Sequence, residues 1–161
     1  MGVPAAQELD DHMERAIRQG GNPVWVEKMR GGKTGVVGVM NFAKPGPTVA
    51  LRFDMDALGA IEAQTDDHKP FRENFSSVNT GAMHACVHDG HAAVGLAVAE
   101  ILAVLQKRLA GTIKLIFQPA EEGVRGGKAM SAKGIVDDVQ YFIGMHLGSP
   151  LRTTGQIACG T

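Results

Sequence analysis

The chain has 161 residues, of which 44% are hydrophobic and 20% charged, a composition typical of one globular domain with a hydrophobic core. Its 16 basic and 17 acidic residues nearly balance and include no basic run, which argues against nucleic-acid binding. The N-terminus has neither the basic start nor the apolar core of a signal peptide, and the cysteines are Cys86 and Cys159 alone. We therefore expect a cytoplasmic protein without a disulfide framework, although a single bridge between these cysteines stays open.

The first part of the chain predicts one helix and two strands. Apolar residues at spacings of three and four predict a helix over residues 4–19. β-Branched residues favour strands over 34–42 and 48–53, and the Pro- and Gly-rich segment 44–47 between them is typical of a turn. The two strands are therefore predicted to form a hairpin. The polar, aperiodic segment 56–80 predicts a long loop near a functional surface.

The most apolar part of the chain predicts a buried helix. We expect this helix over residues 89–109, with Asp89 at or near its start and Gly111 closing it. Its stretch 92–105 is interrupted by Glu100 and is shorter than the roughly 20 residues that a membrane span needs. The sequence therefore predicts a core helix and no membrane span.

Strands and helices alternate through the rest of the chain. The run 112–117 is almost entirely apolar or β-branched, as in a central strand that is covered on both faces. A short helix is predicted over 126–133, followed by a buried strand over 140–145 and a short strand over 155–159. This order predicts an α/β fold: a partial three-layer sandwich in which helices flank a mostly parallel central sheet.

Three short clusters carry side chains that bind zinc-like ions. Residues 84–91 hold a cysteine and histidines, residues 118–122 hold two glutamates, and residues 144–146 end in a histidine. Thiolate, imidazole and carboxylate groups are the usual ligands of such ions. Ligands gather outside the carboxyl ends of the strands in open α/β sheets, so we expect the clusters to converge on one edge. The pattern indicates a metal-dependent hydrolase.

The spacing within the clusters restricts how they bind a metal. Cys86 and His88 are two residues apart, so they can share an ion only if the turn before the helix is extended. The adjacent Glu121 and Glu122 diverge on extended backbone, so one can hold a metal while the other faces the attacking water. Such a pair divides ligation from general-base catalysis.

Each of these features has an alternative explanation. Cys86 alone is more often a small buried hydrophobic residue, and His146 alone is more often a hydrogen-bonded core histidine. Adjacent glutamates are common on solvated helices, although Pro119, directly after a predicted strand, argues against a merely solvated face. Surface or capping roles are expected for the histidines to which we assign no metal, namely His12, His68, His84 and His91. The combination of clusters nevertheless favours a metal site.

Four segments of the sequence resemble a known family. They are residues 52–58 (RFDMDAL), 83–91 (MHACVHDGH), 115–123 (LIFQPAEEG) and 144–146 (GMH). They are similar to the amidohydrolase branch of the aminoacylase/carboxypeptidase metallopeptidase family, and the resemblance covers nearly the whole chain. Within this branch, the run 66–159 resembles the members that cleave aminobenzoyl-glutamate. The resemblance implies a zinc-exopeptidase-like catalytic domain.

The resemblance also implies the chemistry. Members of this family hold two divalent ions, usually manganese or zinc, and hydrolyse the amide that joins an acyl or aroyl group to an amino acid. Carried to the matching positions, it assigns the metal ligands Cys86, His88, Glu122 and His146. It makes Glu121 the general base and Asp56 the acid that orients His88. The expected substrate is a small molecule, aminobenzoyl-glutamate, which is cleaved to aminobenzoate and glutamate.

Two departures from the family bear on these expectations. The family usually has glycine where this chain has Val87, and a β-branched residue there narrows the available backbone conformations. Family members also continue beyond the position of Thr161, with a lid and dimerisation domain and a last histidine ligand. We therefore expect residues 1–161 to form a partial metallohydrolase catalytic domain without the lid, binding at most about one ion and inactive alone. The complete protein is expected to be a homodimer or a hetero-oligomer.

Three hypotheses follow. The first is an amidohydrolase segment that is competent when completed, and the second is a catalytically inactive remnant that binds a metal or a partner protein. The third makes Cys86 a nucleophile with a histidine base. This last hypothesis is the weakest, because the segment 86–88 offers no oxyanion element and paired carboxylates suit metal hydrolysis better. Chelation separates the first from the third, since only a metallohydrolase loses activity.

Overall fold

The computed structural model describes residues 5–148 and 153–158 and divides the chain into two compact units, Met1–Val36 and Val37–Thr161. The helices are α1 (Ala6–Arg18), α2 (Pro23–Lys28), α3 (Lys69–Arg72), α4 (His88–Leu105) and α5 (Gly126–Ser131). The strands are β1 (Val36–Asn41), β2 (Lys44–Asp54), β3 (Ala110–Gln118) and β4 (Tyr141–Gly144).

The first unit contains the helices α1 and α2. The structure confirms the helix predicted over residues 4–19 and adds α2, which the sequence analysis did not predict. The signal for α2 is nevertheless present in the sequence. Pro23 occupies its first turn, and the Asn22 side chain caps it by accepting a hydrogen bond from the Val24 N–H at 2.9 Å.

The second unit is built on a four-stranded sheet with the strand order β1-β3-β2-β4. β2 pairs in parallel with two neighbours, so that Phe53 lies opposite Phe117 on β3 and Ala50 lies opposite Phe142 on β4. The predicted hairpin of β1 and β2 is wrong, because β3 lies between these strands. β3 is the apolar run predicted as a central strand, and such a strand is stabilised by having neighbours at both edges.

Helices cover both faces of this sheet. The rings of Phe53 and Phe117 lie 5.6 Å apart and pack against α4 at Gly95, where an added Cβ would lie 2.7 Å from Phe117. Arg52 and Ile116 alternate with these phenylalanines and so point to the opposite face, where they line a cavity together with residues of α5. The α/β fold with a mostly parallel sheet and flanking helices is therefore confirmed.

α4 is the long apolar helix that the sequence predicts. With the short turn that follows it, His88–Arg108 is the one helix among the described residues that is long and apolar enough to cross a membrane. α4 packs against β2 and β3. The prediction of a buried core helix is nevertheless wrong, because only His88, His91 and Gly95 of α4 are buried. Gly111 does not close this helix as predicted. It lies in β3 with a φ of 83°, where a Cβ would come within 2.2 Å of the Pro47 carbonyl oxygen.

Three further predictions differ in detail from the structure. The loop over 56–80 is present but contains the short helix α3, and Leu58 just inside it forms a β-bridge with Met83. The buried strand predicted over 140–145 is present as β4, but β4 is exposed along its whole length. In the described part of the chain it lies at the edge of the sheet. Residues 155–158 form no strand, and Cys159 lies outside the described residues.

Candidate metal centre

The candidate ligands lie together at one edge of the sheet. They are contributed by the ends of β2, β3 and β4 and by the start of α4. Donor atoms within 4.8 Å of one another form two groups, Cys86 with His88 and Glu122, and Asp54 with His88, His91 and His146. The three sequence clusters therefore meet in space.

Val87 forms the turn that brings Cys86 and His88 together. It directly precedes α4 and has a φ of 63° and a ψ of 25°, in the left-handed region that β-branched residues rarely adopt. The expectation that Cys86 and His88 can share an ion only across an extended turn is therefore wrong, since their donor atoms lie within 4.8 Å of each other across this left-handed residue. Glycine, which the family usually has at this position, adopts such angles without strain.

His88 is fully buried, and its two ring nitrogens have different surroundings. Nδ1 donates a hydrogen bond to the backbone carbonyl of Asp56 at 2.8 Å, and a carboxylate oxygen of Asp56 lies 3.3 Å from the same nitrogen. Because a carbonyl only accepts, Nδ1 carries a proton, and in the neutral ring Nε2 carries the lone pair. That lone pair faces the other candidate ligands.

Asp56 also positions the two glutamates. Its carboxylate accepts hydrogen bonds from the backbone N–H of Glu121 at 2.9 Å and of Glu122 at 3.2 Å. The residue before them, Ala120, has a φ of 53°, so a second left-handed residue adjoins the candidate ligands. Strained backbone of this kind clusters at functional sites. Asp56 therefore contacts both His88 and the backbone of the glutamates.

The lone pairs of His146 and His88 face each other. His146 Nδ1 donates to the Leu147 carbonyl at 2.6 Å, so Nε2 is left as the acceptor. This Nε2 lies 3.3 Å from Nε2 of His88 and 3.6 Å from Sγ of Cys86. Two acceptor lone pairs at such a distance repel unless a cation lies between them. With a sulfur and a carboxylate nearby, this donor set fits a divalent metal ion.

The two glutamates have different surroundings. A carboxylate oxygen of each lies 3.9 Å from Nε2 of His88. Glu122 belongs to the group of donor atoms around Cys86, whereas Glu121 lines a cavity of about 360 Å³ that Lys128 also lines. Glu121 therefore faces space in which water and part of a substrate can lie.

Cys86 is partly buried beside negative charges. Desolvation by burial raises the pKa of its thiol, and the hydrogen bond and charge of Glu122 raise that pKa further. A thiol that stays protonated is a poor nucleophile. This disfavours the hypothesis of a cysteine nucleophile, whereas a bound cation would favour the thiolate.

His91 and Asp54 were missed by the sequence analysis. The prediction that His91 is a surface or capping residue is wrong, because both side chains are fully buried and hydrogen-bonded to each other. The sequence does contain a signal for His91. It follows His88 by about one helical turn, so the two side chains lie on the same face of α4.

The amino-acid sequence matches a known family and known enzymes. Residues 50–161 match Peptidase family M20/M25/M40. Indole-3-acetyl-aspartic acid hydrolase from Enterobacter agglomerans is 49% identical over 161 residues, which are 100% of this chain and 37% of that protein. One of the subunits of p-aminobenzoyl-glutamate hydrolase from Escherichia coli (strain K12) is 47% identical over 161 residues, with the same shares of 100% and 37%. The chain thus spans little more than a third of the length of these relatives.

The fold is also similar to that of a solved enzyme. The Bacillus subtilis YXEP protein, a dinuclear metal binding peptidase from the M20 family, matches with a TM-score of 0.66 and 36% sequence identity. The match covers 74% of this chain and 31% of that one. The family match, the sequence identities and the fold all agree with the donor set at the edge of the sheet. The chain therefore belongs to Peptidase family M20/M25/M40.

Proposed function

We propose that this chain supplies metal ligands and the general base of an enzyme that hydrolyses the amide between an aromatic acyl group and an acidic amino acid. The observation that carries the proposal is the facing pair of His88 and His146 lone pairs, with Cys86 and Glu122 beside them. The proposed substrate is aminobenzoyl-glutamate, and the products are aminobenzoate and glutamate.

The proposed metal ligands are Cys86, His88, Glu122 and His146. The complete enzyme would hold two divalent ions, manganese or zinc. When bound, the metal polarises the scissile carbonyl and lowers the pKa of water. Asp56 would keep the ligands in place through its bonds to the His88 ring and to the backbone of Glu122.

Glu121 is the proposed general base. Its carboxylate adjoins both the His88 ring and the open cavity, so it can accept a proton from the attacking water on that side. The water oxygen then forms a bond to the scissile carbonyl carbon. Glu121 would return the proton to the amide nitrogen as the carbon–nitrogen bond breaks, which releases the amino acid as a neutral amine.

The names of the relatives support the substrate class. Indole-3-acetyl-aspartic acid and p-aminobenzoyl-glutamate each join an aromatic acid to an acidic amino acid through an amide. The cavity beside Glu121 has the volume of a small-molecule site. Lys128 in its wall offers a positive charge to the side-chain carboxylate of the acidic amino acid. We therefore assign this cavity to the acidic amino acid.

The assembly remains part of the proposal. The relative from Escherichia coli is named as one subunit of its enzyme, which supports a hetero-oligomer, and a homodimer is the other expected state. Mass measurement of the protein that carries this chain, purified with and without a co-expressed second polypeptide, distinguishes the two.

A hydrolysis assay tests the proposed function. The protein that carries this chain is given aminobenzoyl-glutamate, indole-3-acetyl-aspartate and the uncharged analogue aminobenzoyl-glutamine, each with added manganese or zinc. We expect turnover of the acidic substrates, its loss on chelation and its recovery when metal is restored. Turnover that survives chelation would overturn the proposal, and equal turnover of the glutamine analogue would overturn the assigned substrate class.

A further inference from the structure

His91 has no role in the chemistry described so far, yet it is fully buried among the candidate ligands. Its ring stacks on His88 at 5.4 Å between centroids and lies edge-on to His146 at 4.6 Å. A buried histidine in this position is either a ligand or a support for the ligands. The hydrogen bonds of its ring decide between these roles.

Both ring nitrogens of His91 already have partners. Nδ1 bonds to the carboxylate of Asp54, which is fully buried and is also bound by the Arg52 guanidinium. Nε2 accepts the backbone N–H of Leu147 at 2.7 Å. Because an amide N–H only donates, Nε2 carries the lone pair and Nδ1 carries the proton. No lone pair is left for a metal, so the geometry excludes His91 as a ligand although its donor atoms lie near those of His146.

The Leu147 peptide connects His91 to His146. Its N–H is held by His91, and its carbonyl accepts the Nδ1–H of His146 at 2.6 Å. This second bond directs Nε2 of His146 toward His88. A continuous series of hydrogen bonds therefore runs from Asp54 through His91 and Leu147 to the proposed ligand His146.

We propose that His91 is a positioning residue that fixes the orientation and tautomer of His146 by holding the Leu147 peptide. Asp54 keeps the proton of His91 on Nδ1 and so leaves Nε2 free to accept the Leu147 N–H. The inference rests on the proposed function, because it takes His146 to be a metal ligand. Partners that orient a metal-binding histidine in this way typically change metal affinity by about 10- to 100-fold when they are removed.

Two substitutions of His91 separate its two hydrogen bonds. In His91→Asn the side-chain amide can still donate to Asp54, as Nδ1 does, but it is too short to accept from Leu147. In His91→Gln the amide oxygen reaches the place of Nε2 and can accept the Leu147 N–H. We expect cobalt(II) affinity to fall about tenfold or more in His91→Asn and to be largely kept in His91→Gln.

Equilibrium dialysis with cobalt(II) measures affinity, the thiolate-to-cobalt absorption band reports the geometry at Cys86, and urea unfolding reports stability. A merely structural role predicts that affinity follows stability in both variants. Equal affinity of His91→Asn and the parent chain would overturn the positioning role, while a parent chain that binds no cobalt would overturn the proposed metal site itself.

A second readout needs no metal. Ring-nitrogen NMR of the metal-free chain should show His91 as the Nδ1–H tautomer, with the Leu147 amide resonance shifted in His91→Asn and restored toward the parent position in His91→Gln. The Nε2–H tautomer in the parent chain would overturn the proposal whatever the metal affinity, since Nε2 could not then accept the Leu147 N–H.

Discussion

Nε2 of His88 lies 3.3 Å from Nε2 of His146, and each ring donates its Nδ1 hydrogen to a backbone carbonyl on its far side. Two neutral imidazoles in this arrangement present lone pairs to each other and gain nothing from their contact. A divalent cation between them would convert this repulsion into ligation. The hydrogen bonds behind the two rings therefore orient both lone pairs as the proposed metal site requires.

Substitution of the proposed base should separate proton transfer from metal binding. In the protein that carries this chain, Glu121→Gln should lower kcat by about 10²- to 10⁴-fold, because the amide cannot accept the proton of water. Bound metal should stay nearly unchanged by elemental analysis. Glu122→Gln is the matched control and should lose metal. Loss of metal in Glu121→Gln with retention in Glu122→Gln would reverse the two assignments.

Replacement of Val87 by glycine should relieve backbone strain and raise metal affinity or activity. A left-handed conformation costs an L-residue about 1–2 kcal/mol, and glycine costs roughly 0.5–1 kcal/mol in chain entropy, so Val87→Gly should be neutral to about 1.5 kcal/mol more stable. Metal affinity or activity should rise, because the turn between Cys86 and His88 is no longer strained.

Val124 offers a matched control for that substitution. It is also β-branched with a φ of 51°, but its side chain is 86% exposed and is no candidate ligand. Val124→Gly should change the urea midpoint in the same direction without changing metal affinity. Unchanged affinity and activity in Val87→Gly would mean that the site accommodates valine.

Some of this arrangement follows from the sequence and some does not. The apolar run of β3 is a local pattern, and it predicts the central strand. The clusters around Cys86 and Glu121 are also local, and they predict which side chains the site contains. The place of β1 beyond β3 depends on long-range pairing, which no local pattern encodes. The hydrogen bonds of His91 likewise join residues that are far apart in the chain, so its partners Asp54 and Leu147 could not be read from the residues next to it.

The loop over 56–80 should lose stability in acid. The hydrogen bond from His68 and that from the Ser77 N–H lower the pKa of Glu62 below its ordinary value of 4.5. A lowered pKa means that Glu62 stabilises the folded state above its unfolded pKa, and that this contribution is lost as pH falls through the folded pKa. Glu62→Gln should therefore destabilise the chain near neutral pH, and its difference from the parent should shrink below pH 4.5.

Urea unfolding near neutral pH and below pH 4.5 measures the difference in stability between Glu62→Gln and the parent chain. Glu73→Gln is the control. Glu73 lies in the same segment but is 55% exposed, with Lys69 4.0 Å away, so its replacement should change stability little at either pH. A destabilisation by Glu62→Gln that grows as pH falls would contradict the expected pH dependence.

The cavity beside Glu121 should distinguish a substrate with a charged amino-acid side chain from its uncharged analogue. Lys128→Met should raise KM for aminobenzoyl-glutamate about fivefold, equivalent to about 1 kcal/mol for an exposed ion pair, and leave kcat nearly unchanged. KM for aminobenzoyl-glutamine should not change. Lys133→Met is the control, since Lys133 is exposed and follows α5 without lining this cavity. An equal rise in KM for both substrates would show that Lys128 does not contact the side-chain carboxylate of the glutamate.

The proposed metal site is tested by cobalt(II) titration of the chain, followed by elemental analysis and by the thiolate-to-cobalt absorption band. We expect about one ion per chain, as a single set of four ligands allows, with an absorption band that disappears in Cys86→Ser and an affinity that falls in His146→Ala. Absence of binding, or a cobalt spectrum and affinity that neither substitution changes, would contradict this expectation.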